Sequence, residues 1–90
     1  MKVKIIYCNL WNYRPQAARV AEELKNDFKD IEIEFEIGAK GDFIIEIDGE
    51  IIFSKTQLIN CKSERFPYEN EVNGLIKNRA WITLYSEKLI

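Results

Sequence analysis

The first part of the chain changes from a strand-like to a helix-like hydrophobic period. Val3 and Ile5 alternate with lysines in residues 2–7, which predicts a short strand. Pro15 then favours the first turn of a helix. The apolar positions that follow lie on one helical face: Ala17, Val20, Ala21, Leu24 and Phe28. The pattern therefore predicts a strand followed by an amphipathic helix of about three turns.

The next segment alternates strictly between apolar and acidic residues, which predicts a half-exposed strand. Its apolar members are Ile31, Ile33, Phe35 and Ile37, and its acidic members are Glu32, Glu34 and Glu36. Three carboxylates on one straight strand rarely supply the geometry of a metal site. We therefore interpret the glutamates as a solvated face of the sheet.

The second half of the chain predicts a hairpin and a second helix. Residues 42–47 and 50–54 flank Asp48-Gly49, a strong signal for a tight hairpin turn. A loop over residues 55–67 then leads to a helix over residues 68–79. Residues 80–90 fit either a further strand or a docked tail. Because free apolar side chains would form a large exposed patch there, we expect Trp81 to be packed against its own domain or across a dimer contact.

The predicted order is β-α-β-β-β-α. A strand-helix-strand unit crosses over right-handed and makes its two strands parallel, and the hairpin then extends the sheet antiparallel. We predict an α+β two-layer sandwich with a mixed four-stranded sheet and both helices on one face. One domain over residues 1–80 is followed by a tail over residues 81–90.

Composition restricts the chemistry that this domain can perform. The 90 residues include two cysteines and no histidine, which excludes a conventional catalytic triad and an ordinary zinc site. An isoelectric point near 5.2 argues against a nucleic-acid partner, and no apolar run approaches the ~20 residues of a membrane span. We expect a cytoplasmic protein with no cofactor, no metal, no nucleic-acid partner and no membrane partner, which has thiol chemistry, carboxylate chemistry or no chemistry of its own.

Cys8 is the first candidate for that chemistry. It lies between the first strand and the first helix, where α/β ligand sites commonly form. The helix start and the basic side chains of Arg14 and Arg19 favour its thiolate, since no acid precedes Glu22. The alternative is that Cys8 is a small buried apolar residue, as many free cysteines are.

The segment around Cys8 resembles the active-site motif of the selenoprotein W-like family of thioredoxin-fold proteins. That family has Cys-x-x-Cys or Cys-x-x-selenocysteine after its first strand, with flanking tyrosines that match Tyr7 and Tyr13. The likeness covers residues 2–79 and continues through Gly41-Asp42-Phe43, Asp48-Gly49, Phe53-Ser54-Lys55 and Phe66-Pro67. It implies a thioredoxin-like fold and a thiol redox role that is often tied to glutathione.

The motif departs from the family at Trp11, which stands where the second Cys or selenocysteine is expected. An indole cannot resolve a mixed disulfide, so the resemblance implies a redox role for Cys8 alone. Trp11 is either a structural cap over the thiol or an aromatic platform for a partner.

Other residues are candidates because the topology brings them to the Cys8 edge of the sheet. Cys61, midway along the 55–67 loop, is either a resolving thiol or an unrelated loop cysteine; resolution requires Cα atoms within ~7 Å. Lys55 is positioned to bind an anionic group such as a glutathione carboxylate. We count Trp11, Tyr13, Arg14 and Lys55 as candidate substrate- or partner-binding residues.

Two function hypotheses follow. In the first, the protein is a thiol redox protein, at most a weak thiol-disulfide oxidoreductase, which uses Cys8 as a monothiol nucleophile with glutathione or a protein thiol as partner. In the second, it is a non-catalytic thioredoxin-fold binding module that has lost its redox pair.

Overall fold

Four strands form one mixed sheet in the order β2-β1-β3-β4. The computed structural model describes residues 1–78; the predicted tail and the expected packing of Trp81 lie outside the described residues. The elements are β1 (Lys2–Tyr7), α1 (Arg14–Asp27), β2 (Glu32–Ile37), β3 (Phe43–Ile47), β4 (Glu50–Ser54) and a second helix, α2, over residues 71–78.

The strand pairing confirms the predicted topology. β1 pairs in parallel with β2, from Lys2 opposite Glu32 to Tyr7 opposite Ile37, and antiparallel with β3. β3 and β4 form the predicted hairpin. Asp48 and Gly49 have φ values of 49° and 88°, the positive values that a tight type I′ turn requires.

Both helices cover the same face of the sheet and run in the same direction. Pro15 lies in the first turn of α1, as predicted. The Asn73 amide of α2 donates to the Glu23 carbonyl at 2.8 Å and to Asp27 Oδ2 at 2.7 Å, and Lys77 pairs with Asp27 at 3.1 Å. Since residue numbers increase together along both helices, α1 and α2 are parallel and both begin at the edge where Cys8 lies.

One apolar core lies between the sheet and the helices. Its fully buried side chains include Val3, Ile5, Val20, Leu24, Phe43, Ile45, Ile47, Phe53 and Val72. The opposite face of the sheet carries the charged residues of β1 and β2. The predicted solvated face is confirmed, because Glu32, Glu34 and Glu36 are exposed.

The apolar side of β2 is more exposed than its alternation predicts. Ile33 is half-buried, but Phe35 and Ile37 are 48% and 57% exposed. β2 is an edge strand in the described sheet, and the helix residues facing its second half include the short Ala18. Alternation therefore identified the face correctly but not how far α1 covers it.

No helix in residues 1–78 is long and apolar enough to cross a membrane.

The different burial of two phenylalanines predicts different losses of stability when each is replaced by alanine. Phe43 is fully buried, whereas Phe35 is half exposed. We expect Phe43→Ala to lower the free energy of unfolding by about 3–5 kcal/mol, and Phe35→Ala to lower it by much less. Urea unfolding of the two variants compares them, and equal losses would contradict this placement of the core.

Candidate active site

Cys8 lies at the end of β1 beneath two loops. Its backbone N–H donates to the Asp42 carbonyl at 2.9 Å, and its carbonyl accepts from the Tyr13 N–H at 3.2 Å. These bonds fix Cys8 between the 38–42 loop and the 9–12 turn, in which Asn12 has a positive φ of 55°. Cys8 is only 1% exposed, whereas residues 9–12 are all exposed.

The surroundings of the sulfur lower the pKa of Cys8 below its ordinary value. Burial is the largest single influence and raises the pKa. The backbone N–H groups of Gly41, Trp11 and Leu10 hydrogen-bond to the sulfur, and together they lower the pKa by more than burial and the nearby Asp42 carboxylate raise it. The site thus favours the thiolate in a position shielded from water.

The origin of this stabilisation differs from the sequence prediction. The sequence pointed to the start of α1 and to Arg14 and Arg19. In the structure, Arg19 is engaged elsewhere, since it pairs with Glu23 at 2.8 Å and donates to the Pro67 carbonyl. The donors are instead backbone amides, and sequence reasoning missed Leu10 and Gly41 because a backbone N–H is common to nearly every residue.

Trp11 joins the two loops that supply these donors. Its indole packs on Gly41, so closely that a Cβ at Gly41 would lie 3.1 Å from ring atom Cζ3. Gly41 also has a φ of +83°, which glycine adopts without strain. The Lys40 ammonium lies 5.3 Å from the centre of the indole ring. Trp11 is still 51% exposed, so the side chain is both a packing element and an accessible aromatic surface.

An aromatic row extends from Trp11 into the core. Trp11 and Tyr13 have ring centres 6.1 Å apart, and Tyr13 and Phe66 have centres 4.7 Å apart. Lys55 lies over this row, with its ammonium 5.6 Å from the Tyr13 ring and 5.8 Å from the Phe66 ring. The structure therefore brings together three of the predicted binding residues, Trp11, Tyr13 and Lys55. It adds Lys40, which the sequence analysis did not identify.

Arg14 lies on a different side of the site. Together with Tyr7, Ala18 and Phe35 it lines a groove of about 270 Å³ between α1 and β2. The structure therefore does not group Arg14 with Lys55 and the aromatic row.

Cys61 lies beyond the outer edge of β4. Ser54 and Ile59 exchange two backbone hydrogen bonds of 3.1 Å, so the chain after Leu58 returns along the side of β4 that faces away from β3. The Cys61 thiol donates to the Ser54 carbonyl at 3.3 Å. Because neighbouring strands lie ~4.8 Å apart, β4 is about 10 Å from β1. The two cysteines are therefore placed apart, and Cys61 instead borders a cavity of about 570 Å³ with Arg65 and Tyr68.

Comparison with known proteins supports the fold and the family. The sequence model of the Rdx family matches residues 2–78. The protein named migration and invasion enhancer 1 is 31% identical in cattle over 80 residues and in mouse over 78 residues, which is 89% and 87% of this chain. The matched segments span 65% and 64% of those relatives, just under two thirds of their length.

Two solved structures have the same thioredoxin-like architecture. A Bordetella parapertussis protein superposes with a TM-score of 0.75 at 22% identity, over 87% of this chain and 95% of its own. A selenoprotein W-related protein from Vibrio cholerae gives 0.72 at 22% identity, over 86% and 92%. The predicted thioredoxin-like fold is confirmed.

The contribution of Gly41 to the thiolate can be tested with a matched pair of glycines. Gly41 and Gly49 both have positive φ, but only Gly41 contacts Trp11 and donates to Cys8. Each change to alanine introduces backbone strain of about 1–2 kcal/mol. We expect only Gly41→Ala to raise the pKa of Cys8, because its Cβ pushes the donor loops apart.

The measurement is the pH dependence of Cys8 alkylation in a Cys61→Ser background, where Cys8 is the only thiol. Gly49→Ala should leave the midpoint unchanged. An equal shift in both variants, or in neither, would show that the Gly41 amide does not control the thiolate.

Proposed function

This chain belongs to the Rdx family, a redox-type family, and from that premise we propose that it is a thiol redox protein whose nucleophile is Cys8. The observation that carries the proposal is the placement of Cys8 at the end of β1 between two loops, whose backbone donors lower the pKa of its thiol. A thiolate is the nucleophile in thiol-disulfide exchange. A cytoplasmic location, where thiols are kept reduced, suits such a role.

The proposed reaction is a monothiol exchange with glutathione. The Cys8 thiolate attacks the glutathione sulfur of a protein–glutathione mixed disulfide, that S–S bond breaks, and the partner protein's thiolate leaves. Cys8 then carries glutathione as a mixed disulfide. A free glutathione thiolate attacks the glutathione sulfur of that adduct, which releases oxidised glutathione and restores the Cys8 thiolate. Each step exchanges one disulfide for another, so no further oxidant or reductant is needed.

Glutathione resolves the adduct in this scheme because the chain offers no nearby thiol. Trp11 occupies the position of the family's second Cys or selenocysteine, and Cys61 lies on the outer side of β4. Glutathione would resolve a mixed disulfide between Cys8 and a protein thiol in the same way.

Two lysines flank the site and are suited to the carboxylates of glutathione. Lys40 lies over Trp11, and Lys55 lies over Tyr13 and Phe66. Their ammonium groups are on the same side of the fold as Cys8, and a pair of cations there attracts a tripeptide with two carboxylates.

Access to the sulfur requires side chains around it to move, because Cys8 is 1% exposed. In our proposal a disulfide reaches it when the Trp11 side chain leaves Gly41 while the backbone donors stay in place. Exchange is therefore gated by this contact in our proposal, and reaction should be slower than the thiolate fraction alone would allow.

A second function, that of a non-catalytic binding module, is favoured by the same burial. Leu10 and Trp11 are exposed apolar side chains in the turn that follows the buried Cys8. In this alternative the loop surface binds a protein and Cys8 is a structural thiol.

Incubation with oxidised glutathione separates the two functions. We expect wild type and Cys61→Ser to gain one glutathione on Cys8, measured by intact mass under native conditions. The adduct should persist until reduced glutathione is added, since no internal thiol resolves it. Cys8→Ser should not gain glutathione at this rate. If Cys8 reacts only after denaturation, the binding-module function is the correct one.

The role of Lys55 is tested by comparing charged and neutral disulfides. Lys55→Met should slow the reaction of Cys8 with oxidised glutathione severalfold, because one cation that attracts the carboxylates is lost. It should leave the reaction with a neutral disulfide such as dipyridyl disulfide unchanged. Lys77→Met is the matched control, because Lys77 lies on α2 and pairs with Asp27 of α1, away from the site. Equal slowing by both reagents would contradict a role in recognising carboxylates.

A further inference from the structure

The outer edge of β2 has backbone groups that the described sheet does not use. The Glu32 and Gly38 N–H groups donate to the Met1 and Tyr7 carbonyls at 3.0 and 2.9 Å. Because hydrogen-bonding groups alternate along a strand, the even-numbered residues of β2 face β1. The N–H and C=O groups of Ile33, Phe35 and Ile37 therefore face outward, where no strand of residues 1–78 pairs with them.

The two faces of this edge differ in chemistry. On the helix side, Phe35 and Ile37 are about half exposed, and Phe35 lines the 270 Å³ groove together with Tyr7, Arg14 and Ala18. Phe35 packs edge-on against Tyr7, with ring centres 6.3 Å apart, so the groove has an ordered aromatic wall. An apolar side chain of an added strand would fill this groove.

The opposite face of the same edge is acidic. Glu32, Glu34 and Glu36 point away from the helices and are exposed. Lys2 and Lys4 approach Glu34 and Glu36 only at 3.7 and 3.9 Å, with more than half of each glutamate side chain exposed. Such exposed pairs neutralise the carboxylates weakly, and Glu46 adds a further acid opposite Lys4.

From this edge we infer that β2 binds an extended segment of a partner protein in which apolar residues alternate with lysine or arginine. The segment adds a fifth strand by main-chain hydrogen bonds to Ile33, Phe35 and Ile37. Its apolar side chains enter the groove, and its basic side chains lie beside the three glutamates. The inference does not depend on the redox activity of Cys8.

Charge argues against a second copy of this chain as the occupant. Two β2 strands paired antiparallel would place the glutamates of one copy opposite those of the other on the same face. Like charges directly opposite one another destabilise a strand pair. A basic, alternating segment turns the same row of carboxylates into favourable cross-strand pairs.

The test uses the full chain and a short capped peptide that alternates lysine with valine. Amide hydrogen exchange should show that the Phe35 and Ile37 amides exchange rapidly in the free protein and become protected when the peptide binds. A peptide that alternates glutamate with valine should not bind. A lysine peptide with N-methyl groups on its pairing amides should not bind either, since it keeps the charge but cannot form the strand.

Charge variants supply the matched control. Neutralising the edge with Glu32→Gln, Glu34→Gln and Glu36→Gln together should weaken binding about tenfold, as the loss of three cross-strand charge pairs implies. Glu46→Gln lies on the same face but on β3, and should change the affinity much less.

Three outcomes would overturn the inference. Protection of the Phe35 and Ile37 amides in the free protein would mean that this chain or a second copy already covers the edge. Equal binding of the N-methylated peptide would mean attraction by charge without strand addition. Binding unaffected by the triple substitution would mean that the peptide lies elsewhere.

Discussion

The hydrogen bonds from three backbone amides to one buried sulfur are the interaction on which this site depends. Gly41 comes from the loop between β2 and β3, and Leu10 and Trp11 come from the turn after β1. Burial opposes ionisation of the thiol, so the thiolate is favoured only while both loops remain in place. The parallel pairing of β1 with β2 makes this convergence possible, because it brings the end of β2 and the start of β3 beside Cys8.

Trp11 changes what the site can do without abolishing its electrostatics. Where relatives of the selenoprotein W type have a second sulfur or selenium, this chain has an indole that packs on Gly41. The indole packs the 9–12 turn against the 38–42 loop, but it cannot resolve a disulfide. In our proposal the thiolate is retained, access is gated, and resolution passes to glutathione.

The sheet could be predicted from the sequence because its signals are local and strong. Val3 and Ile5 define the inner face of β1, and Asp48-Gly49 defines the hairpin, so pairing and direction follow from general rules of topology. The position of Cys8 at the strand end follows from the same pattern. The exposure of Phe35 could not be predicted from this pattern, because it depends on how far α1 extends over the edge strand.

The cause of thiol activation could not be predicted for a different reason. Arginine side chains are visible in a sequence, whereas backbone donors become identifiable only when φ angles and loop positions are known. The sequence indicated only that Gly41 lies in a turn, and not that its N–H faces Cys8. The distance between Cys61 and Cys8 likewise depends on the path of the 55–67 loop, which follows the outer side of β4 through Ser54 and Ile59.

The most direct test of a stabilised thiolate at Cys8 is its ultraviolet absorbance during a pH titration of the native Cys61→Ser variant. The Cys8→Ser/Cys61→Ser double variant supplies the baseline, so that tyrosine ionisation is subtracted. We predict that a single thiolate is formed at a pH below the midpoint of a free cysteine, and that this early transition is lost when the protein is unfolded in urea. A transition at or above the midpoint of a free cysteine would contradict the account, because burial would then outweigh the three backbone donors.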